Sequence, residues 1–498
     1  MPSPSLNVIR LPAQLTSDDR RVIPRYLDFG HPPRIRSIFR RTLKIPRSHI
    51  RPLLEEVEAG FKTRHRELEE SFRRNYVLAA RHVRNVPELT DDHRLLIGAY
   101  FTMEYSIESA ALFNPSMVPH PDQSGVPEGD IRFLMSLRAT GEGHVSSIVF
   151  RRGVIDGGNR ITFDPPPRYA YSARPVPDKE LSKDLFHRKL HERGASEPAD
   201  RVLEQLEDPF TLRQLRAALE KVRAAGKETS GFRRLNNTML WLAQANYELH
   251  FPHDCMPSET VIFPATQHEA NGMEDLRLVR FVDDDGECTY YGTYTAFDGL
   301  RTHPMMLKTR DFERFHFCPL SGRYARNKGM ALFPRKTDGY YVMLSRHDGE
   351  NLHVLRSHDE LVWNVGDKIQ TPQEDWELVQ LGNCGSPLET EAGWLMITHG
   401  VGPMRRYCIG ASLLDRDDPS RLIGRLREPL LAPSGNEREG YVPNVVYSCG
   451  AMIHGGRLVI PYAMSDSRTA FAVTDVDELL RALTSKPHRV SGRKRKKT

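Results

Sequence analysis

Cysteine is sparse in this chain. Six cysteines in 498 residues, at 255, 288, 318, 384, 408 and 449, stand singly, with no C-x-x-C pair. That spacing disfavours a structural zinc site and a redox dithiol, and fits reduced thiols used as small core residues. No run of about 18 apolar residues occurs, so no membrane-spanning helix and no membrane partner are expected. The opening MPSPSLNVIRLPAQL lacks a basic stretch followed by an apolar core, so no secretory leader is expected and the chain is read as cytoplasmic. A large excess of charge is missing too. The net charge is +5, and RKRKK at 493–497 accounts for it, leaving a near-neutral body. That argues against a nucleic-acid partner, and 486–498 reads as a disordered basic tail.

Cofactor motifs are also absent. AAGKETSG (224–231) has Lys221 where a phosphate loop needs its first glycine, and it sits in helical sequence rather than after a strand. ATGEGHVSS lacks the strand–loop–helix setting of a dinucleotide site. There is neither H-E-x-x-H nor G-x-S-x-G, and the twenty histidines are not paired at ligand spacing. No metal and no cofactor are expected.

What is present is an ordinary balance, 39% hydrophobic and 27% charged, on a chain long enough for a large core plus an appendage. Residues 1–110 read mostly as helix. In RSHIRPLLEEVEAGFKTRHRELEESFRRNYVLAARHV, Leu53, Val57, Phe61, Leu68 and Phe72 recur at three, four or seven and form one apolar stripe. A second helical block runs over about 178–250, rich in Leu, Ala, Glu and Arg. Elsewhere IRFLMSL, LRLVRFV, CTYYGTYTAF, GYYVMLS, GWLMITHGV and RLVIPYAM are short β-type runs between Gly, Asp, Asn and Pro turns. An apolar run leading into an Asp-bearing turn recurs at 144, 303, 352, 407 and 469. A repeat of roughly 40–60 residues made of hairpins suggests propeller blades. The expected fold is therefore mainly β: a five-bladed β-propeller over 111–485, with an N-terminal helical region and a helical insertion. A β-sandwich with chance likeness between its strands is the alternative.

Polar residues recur in apolar, turn-rich settings, about one set per expected blade. They are Asn114 in LFNPS, Arg138 and His144 in SLRATGEGH, Glu274, Asp275 and Arg277 in GMEDLR, and Lys328 in RNKGMALFP. Further along come Arg346 in MLSRHDG, His399, Arg405 and Arg406 in ITHGVGPMRR, and Tyr462 and Asp466 in IPYAMSDSR. Innermost propeller strands bring such residues to one end of the channel. Carboxylates accept bonds from hydroxyls and cations hold an oxyanion, so the funnel suits a sugar or sugar phosphate.

This series resembles glycoside hydrolase family 130, over about 110–170 and 255–485. The matching pieces are G-x-E-D-x-R (272–277), YTAFDG (294–299), NKGMALFP (327–334), GSPLETEAGWLMITHGV (385–401), GASLLDRDDPS (410–420) and PYAMSD (461–466). The long form with helical additions looks closest to the β-1,2-mannobiose and β-1,2-oligomannan phosphorylases. The resemblance implies an inverting phosphorylase that gives α-mannose 1-phosphate, with manno-oligosaccharide and inorganic phosphate as partners and phosphate as co-substrate. It makes Asp275 the general acid, its proton passing through the mannosyl 3-hydroxyl. A donor at neutral pH needs a raised pKa, which like-charge repulsion from Glu274 would supply. Arg277 is expected on Glu274 or on backbone rather than on the Asp275 carboxylate. Asn114, Arg138, Glu274, Tyr294, Tyr462 and Asp466 are implied to hold the sugar, and Lys328, Arg346, His399 and Arg405 the phosphate. Glu389 in SPLET stands where many phosphorylases carry lysine, which raises an alternative: an inverting β-mannosidase with Glu389 as base for water. A non-catalytic glycan-binding propeller is a third reading. The helical regions are expected to pack on the propeller or to join copies in a homo-oligomer.

Overall fold

The computed structural model describes residues 6–177, 179–192, 197–225 and 229–485; the stretch expected as a basic tail lies outside them. Five antiparallel meanders follow one another along the chain. The first runs through Ala111–Pro119, Ile131–Thr140, Ser146–Ile155 and Ile161–Phe163, and the second through Gly272–Val282, Cys288–Phe297, Thr302–Thr309 and Arg314–Pro319. The third is Ala331–Leu332, Tyr341–Ser345, Leu352–Ser357 and Val365–Gln370. The fourth begins with a broken edge, Gln380–Asn383 and Leu388–Thr390, then Gly393–Val401, Tyr407–Leu414 and Leu422–Arg425. The fifth begins the same way, Val446–Tyr447 and Met452–His454, then Arg457–Met464 and Arg468–Asp475.

The sequence repeat falls on the third strand of every meander, and its aspartate has a local job. Asp156, Asp311, Asp359, Asp415 and Asp475 each accept backbone N–H groups two to four residues on, as Asp311 Oδ1 does from Glu313 and Arg314 at 2.9 Å. A short carboxylate can replace the strand partner the chain loses as it turns, which is why the motif ends each run.

Apolar residues between successive meanders form five core clusters. Phe150 packs with Leu278 and Phe315, Phe281 with Met343 and Leu355, and Leu344 with Trp394 and Met396. Ile397 packs with Leu458 and Ile460, and Val459 and Phe471 return to Phe133 and Val149 of the first sheet. Each large side chain buried this way contributes about 1.5–3 kcal/mol. The fifth sheet is completed from the other end of the chain, by Ile9–Leu15 paired antiparallel to Arg468–Asp475. That strand was not expected in a region read as helix.

The rest of the N-terminal region is largely helical, at Pro32–Thr42, Arg47–Phe61, Leu68–Ala80 and Asp91–Tyr100, with a ribbon of Val22–Tyr26 and Thr102–Ser106. The expected single stripe is interrupted at 62–67. Ile50 and Leu54, not Leu53, are the buried positions before the break, and Phe61 is 40% exposed. Between the first and second meanders lie helices Lys183–Glu192, Glu197–Leu203, Leu212–Ala225 and Ser230–Gln244, with a small core of their own. All six cysteines are free, four of them buried. No described helix is long and apolar enough to cross a membrane.

Candidate functional site

Three polar residues have left-handed backbone: Asn114 (φ 50) and Asp275 (φ 59) on the first strands of their meanders, and Asp466 (φ 51) in the turn after the Arg457–Met464 strand of the fifth. Asn and Asp tolerate this conformation better than other side chains. At the first two, the strand pairing slips, between Phe113 and Ser116 and between Glu274 and Arg277. Such a bulge re-aims the side chain it contains. Gly272 (φ 132) brings the two sheets together. It bridges to Ser146, and a Cβ there would meet the Ser146 backbone nitrogen at 3.0 Å. Ser116 Oγ accepts from Leu278 N at 2.9 Å and fixes the same junction.

These devices gather one connected cluster. Asn114 Nδ2 donates to Asp275 Oδ1 at 2.7 Å, and Arg138 Nη1 reaches the same oxygen at 3.4 Å. Arg138 Nη2 donates to Glu274 Oε1 at 2.9 Å and its Nε to Ser146 Oγ at 2.8 Å. Lys328 Nζ pairs with Glu274 Oε2. Arg277 Nη1 donates to the Asp275 carbonyl at 3.0 Å and Nη2 to the Tyr447 hydroxyl at 2.6 Å, so its expected preference for backbone over the Asp275 carboxylate holds.

The electrostatics differ from expectation at Asp275. Burial pushes its carboxyl up, but Arg138, Arg277 and Lys328, with the Asn114 amide, outweigh burial and hold it below the usual carboxylate range. Repulsion by Glu274 does not dominate, because Glu274 is itself paired to Arg138 and Lys328. The raised carboxyl is Asp466, pushed up to about 6 by burial and by the Asp275 charge, against the pull of Arg138 and Arg405. Arg346 is more unusual still. Its Nε and Nη1 are buried with no hydrogen-bond partner among the described residues, and burial pulls its pKa down. Gly329 lies against the Arg346 side chain and Asn383, which sets the Lys328 loop beside them. His399 feels Arg346 and Arg277, and burial with these charges pushes its pKa well below the usual value. It therefore joins the cluster as a neutral ring, not as a cation. Arg405 is exposed in the Pro403–Arg405 turn and acts on Asp466 through space.

Three expected residues are held elsewhere. Tyr294 is 2% exposed and its hydroxyl donates to Glu269 at 2.7 Å; Tyr462 is 1% exposed and donates to Glu437 at 2.6 Å. Both carboxylates also serve in capping boxes, Thr266/Glu269 and Ser434/Glu437, so the tyrosines brace loops and are not free for a ligand. Glu389 is paired to Arg335 at 2.6 Å and Arg416 at 3.5 Å. It sits opposite Trp394, five residues along the strand from His399, a separation of about 17 Å at strand rise.

Sequence reading missed Tyr447. Its ring meets His399 at 4.9 Å and its hydroxyl is Arg277's partner, joining the fifth sheet to the cluster. Its position in an Asn-bearing run at the start of the fifth meander, YVPNVVYS, like LFNPS at the start of the first, was the available signal.

Residues 250–485 match a family model described as beta-1,4-mannooligosaccharide phosphorylase. The chain is 35% identical over 222 residues to a 1,2-beta-oligomannan phosphorylase of Thermoanaerobacter sp. (strain X514), covering 43% of this chain and 72% of the relative. It is 28% identical over 243 residues to a beta-1,2-mannobiose phosphorylase of Listeria innocua, covering 46% of this chain and 65% of the relative. The solved structure of the Listeria innocua beta-1,2-mannobiose phosphorylase with beta-1,2-mannobiose aligns at TM-score 0.45 and 20% identity, over 76% of this chain and 93% of that one. With a relative 35% identical across 72% of its own length, and the family model on residues 250–485, which carry Asp275, the chain belongs to glycoside hydrolase family 130.

Proposed function

We propose that the chain is an inverting glycoside phosphorylase of β-mannosides, foremost β-1,2-linked manno-oligosaccharides, with Asp275 as general acid. The observation that carries this reading is Arg346. A buried guanidinium with two unpartnered nitrogens beside Arg277 is a costly arrangement unless an anion completes it. A phosphate dianion fits: it accepts bonds from Arg346, Lys328 and the neutral His399 and needs no carboxylate base, being already anionic. Arg405 adds an exposed cation at the rim.

The sugar at the cleaved bond lies on Asn114, Arg138, Glu274 and Asp466. A phosphate oxygen attacks the anomeric carbon from the face opposite the leaving oxygen, and the bond from that carbon to the leaving sugar breaks. The leaving oxygen takes a proton from Asp275, relayed by the mannosyl 3-hydroxyl, and the P–OH proton then restores Asp275. The products are α-mannose 1-phosphate and a shortened sugar. Phosphate binding also supplies what Asp275 lacks in the free protein. It shares the charges of Arg277 and Lys328, which otherwise hold the carboxyl low, and so raises its pKa toward that of a donor.

The ring of five sheets is read as a five-bladed β-propeller spanning 111–485, with 1–110 a helical region and about 178–250 an insertion over the funnel. Both relatives named above act on β-1,2 linkages, whereas the family description names β-1,4, so both linkages belong in the test. Glu389 as a base for water loses support, since two arginines hold it about 17 Å along the sheet from His399. Incubation with β-1,2-mannobiose and β-1,4-mannobiose, with and without phosphate, tests the proposal. Turnover of the β-1,2 compound only with phosphate is expected; equal release of free mannose without phosphate overturns it.

A further inference from the structure

A polar cavity of about 390 Å³ lies away from the Asp275 cluster, between the N-terminal helices and the first sheet. It is lined by the ribbon residues Arg25 and Tyr26, by His65, Glu70 and Arg74, and by Arg174 of the segment after the first sheet. None of the cluster residues lines it. Its size is within the range of small-molecule sites.

The cavity holds cations that no carboxylate neutralises at contact. The Arg25 guanidinium lies 4.2 Å over the Phe263 ring and 5.2 Å from Tyr105, with no ion pair among the described residues. Among the described residues Arg74 donates only to the Pro24 carbonyl at 3.2 Å and Asn75 Oδ1 at 3.1 Å. Arg174 has no hydrogen-bonded partner among the described residues; Glu70 and Glu67 act on it only through space, and Glu67 already accepts from the Tyr171 hydroxyl. Arg66, by contrast, is neutralised by Asp254 and Glu259.

The same cavity carries neutral groups short of a partner. His65 is 4% exposed; its Nε2 bonds Glu104 at 2.8 Å while Nδ1 has no partner. Burial pulls its pKa down despite Glu104, so the ring is neutral at neutral pH. With the Nε2 proton on Glu104, Nδ1 is an acceptor and calls for a donor such as a hydroxyl. The Tyr26 hydroxyl is likewise buried with no partner. Buried polar atoms are rarely left unpaired in native proteins.

We propose that this cavity is a second ligand site, for a phosphorylated monosaccharide: arginines for the phosphate, His65 Nδ1, Tyr26 and Glu70 for hydroxyls. Only the choice of mannose 1-phosphate as first probe rests on the phosphorylase reading; mannose 6-phosphate is a second probe independent of it.

Calorimetric titration of the full chain in an Asp275→Asn background, without acceptor sugar, counts the sites. Two equivalents of mannose 1-phosphate are expected. Arg25→Met/Arg174→Met removes one, and Arg346→Met removes the other. Tyr26→Phe, which deletes a single unpartnered oxygen, weakens the second site at least three-fold without lowering the unfolding midpoint. Mannose alone and inorganic phosphate alone bind this site at least ten-fold more weakly. Binding unchanged in both the arginine pair and Tyr26→Phe overturns the site. Equal binding of inorganic phosphate overturns its sugar half. Loss of only the Arg346-dependent equivalent from the parent would instead strike at the catalytic reading and leave this one standing.

Discussion

Two carboxylate–arginine clusters in this molecule use the same residue types and end differently. Around Glu437 every polar atom is used: Oε1 accepts from Arg10 Nε at 2.7 Å and Tyr462 at 2.6 Å, and Oε2 from Arg10 Nη2 and Ser434 N at 2.9 Å. Around Asp275, Asn114 Oδ1, Arg277 Nε, Arg346 Nε and Nη1, and Asn383 Oδ1 remain without partners among the described residues. A closed network fixes a loop; an open one stores the desolvation of groups whose partners must come from a ligand. The difference separates brace from site where residue type does not.

The most severe test of the contrast is Asp275→Asn. Loss of the proton donor is expected to lower kcat by about 10²–10⁴-fold, measured as phosphate-dependent turnover; a fully active variant would remove Asp275 from the mechanism. Next is Arg346→Met. Losing a charged contact of about 1.5–3 kcal/mol should raise the phosphate KM by roughly 10–150-fold. Its unfolding midpoint should not fall, since an unpaired buried charge is removed. A marked loss of stability would make Arg346 a brace like Arg10.

Tyr462→Phe is the mirror experiment. Glu437 loses a donor, so denaturant unfolding should show a cost of about 1–2 kcal/mol, while kcat/KM stays within about two-fold. A selective rise in sugar KM would return Tyr462 to the binding surface.

How far these distinctions could be read in advance depends on range. The Asp-ended third strands were legible because an aspartate capping its own turn is a local event. Asn114, Arg138, Asp275 and Lys328 were legible as polar residues breaking apolar, turn-rich runs. The glutamate partners of Tyr294 and Tyr462 were missed because a strand aromatic points to opposite faces with a one-residue change of register, and bulges reset that register. A sharper signal existed: each tyrosine follows its capping-box glutamate by the same 25 residues. The strand Ile9–Leu15 and the open state of Arg346 depend on pairing across the whole chain, which no local pattern carries.

Smaller effects sharpen the comparison further. Asp466, whose pKa is up at about 6 because of burial and Asp275, binds its proton more readily folded than unfolded. Its contribution to stability is therefore present below the ordinary Asp value, near 3.9, and is lost as pH rises through about 6. Asp466→Asn should flatten that decline in unfolding free energy measured between about pH 4 and 6.5; an unchanged slope would place the titration elsewhere. Least of all, Glu389→Gln should cost under about 1 kcal/mol, as a part-exposed ion pair does, and leave phosphate dependence untouched.

In the proposed mechanism an anion completes the open cluster and becomes the nucleophile. Proton-coupled ³¹P NMR of the chain with β-1,2-mannobiose and inorganic phosphate tests it in one time course. The phosphate signal is expected to decline one-for-one with the appearance of α-mannose 1-phosphate. Free mannose accumulating while the phosphate signal stays constant would contradict it.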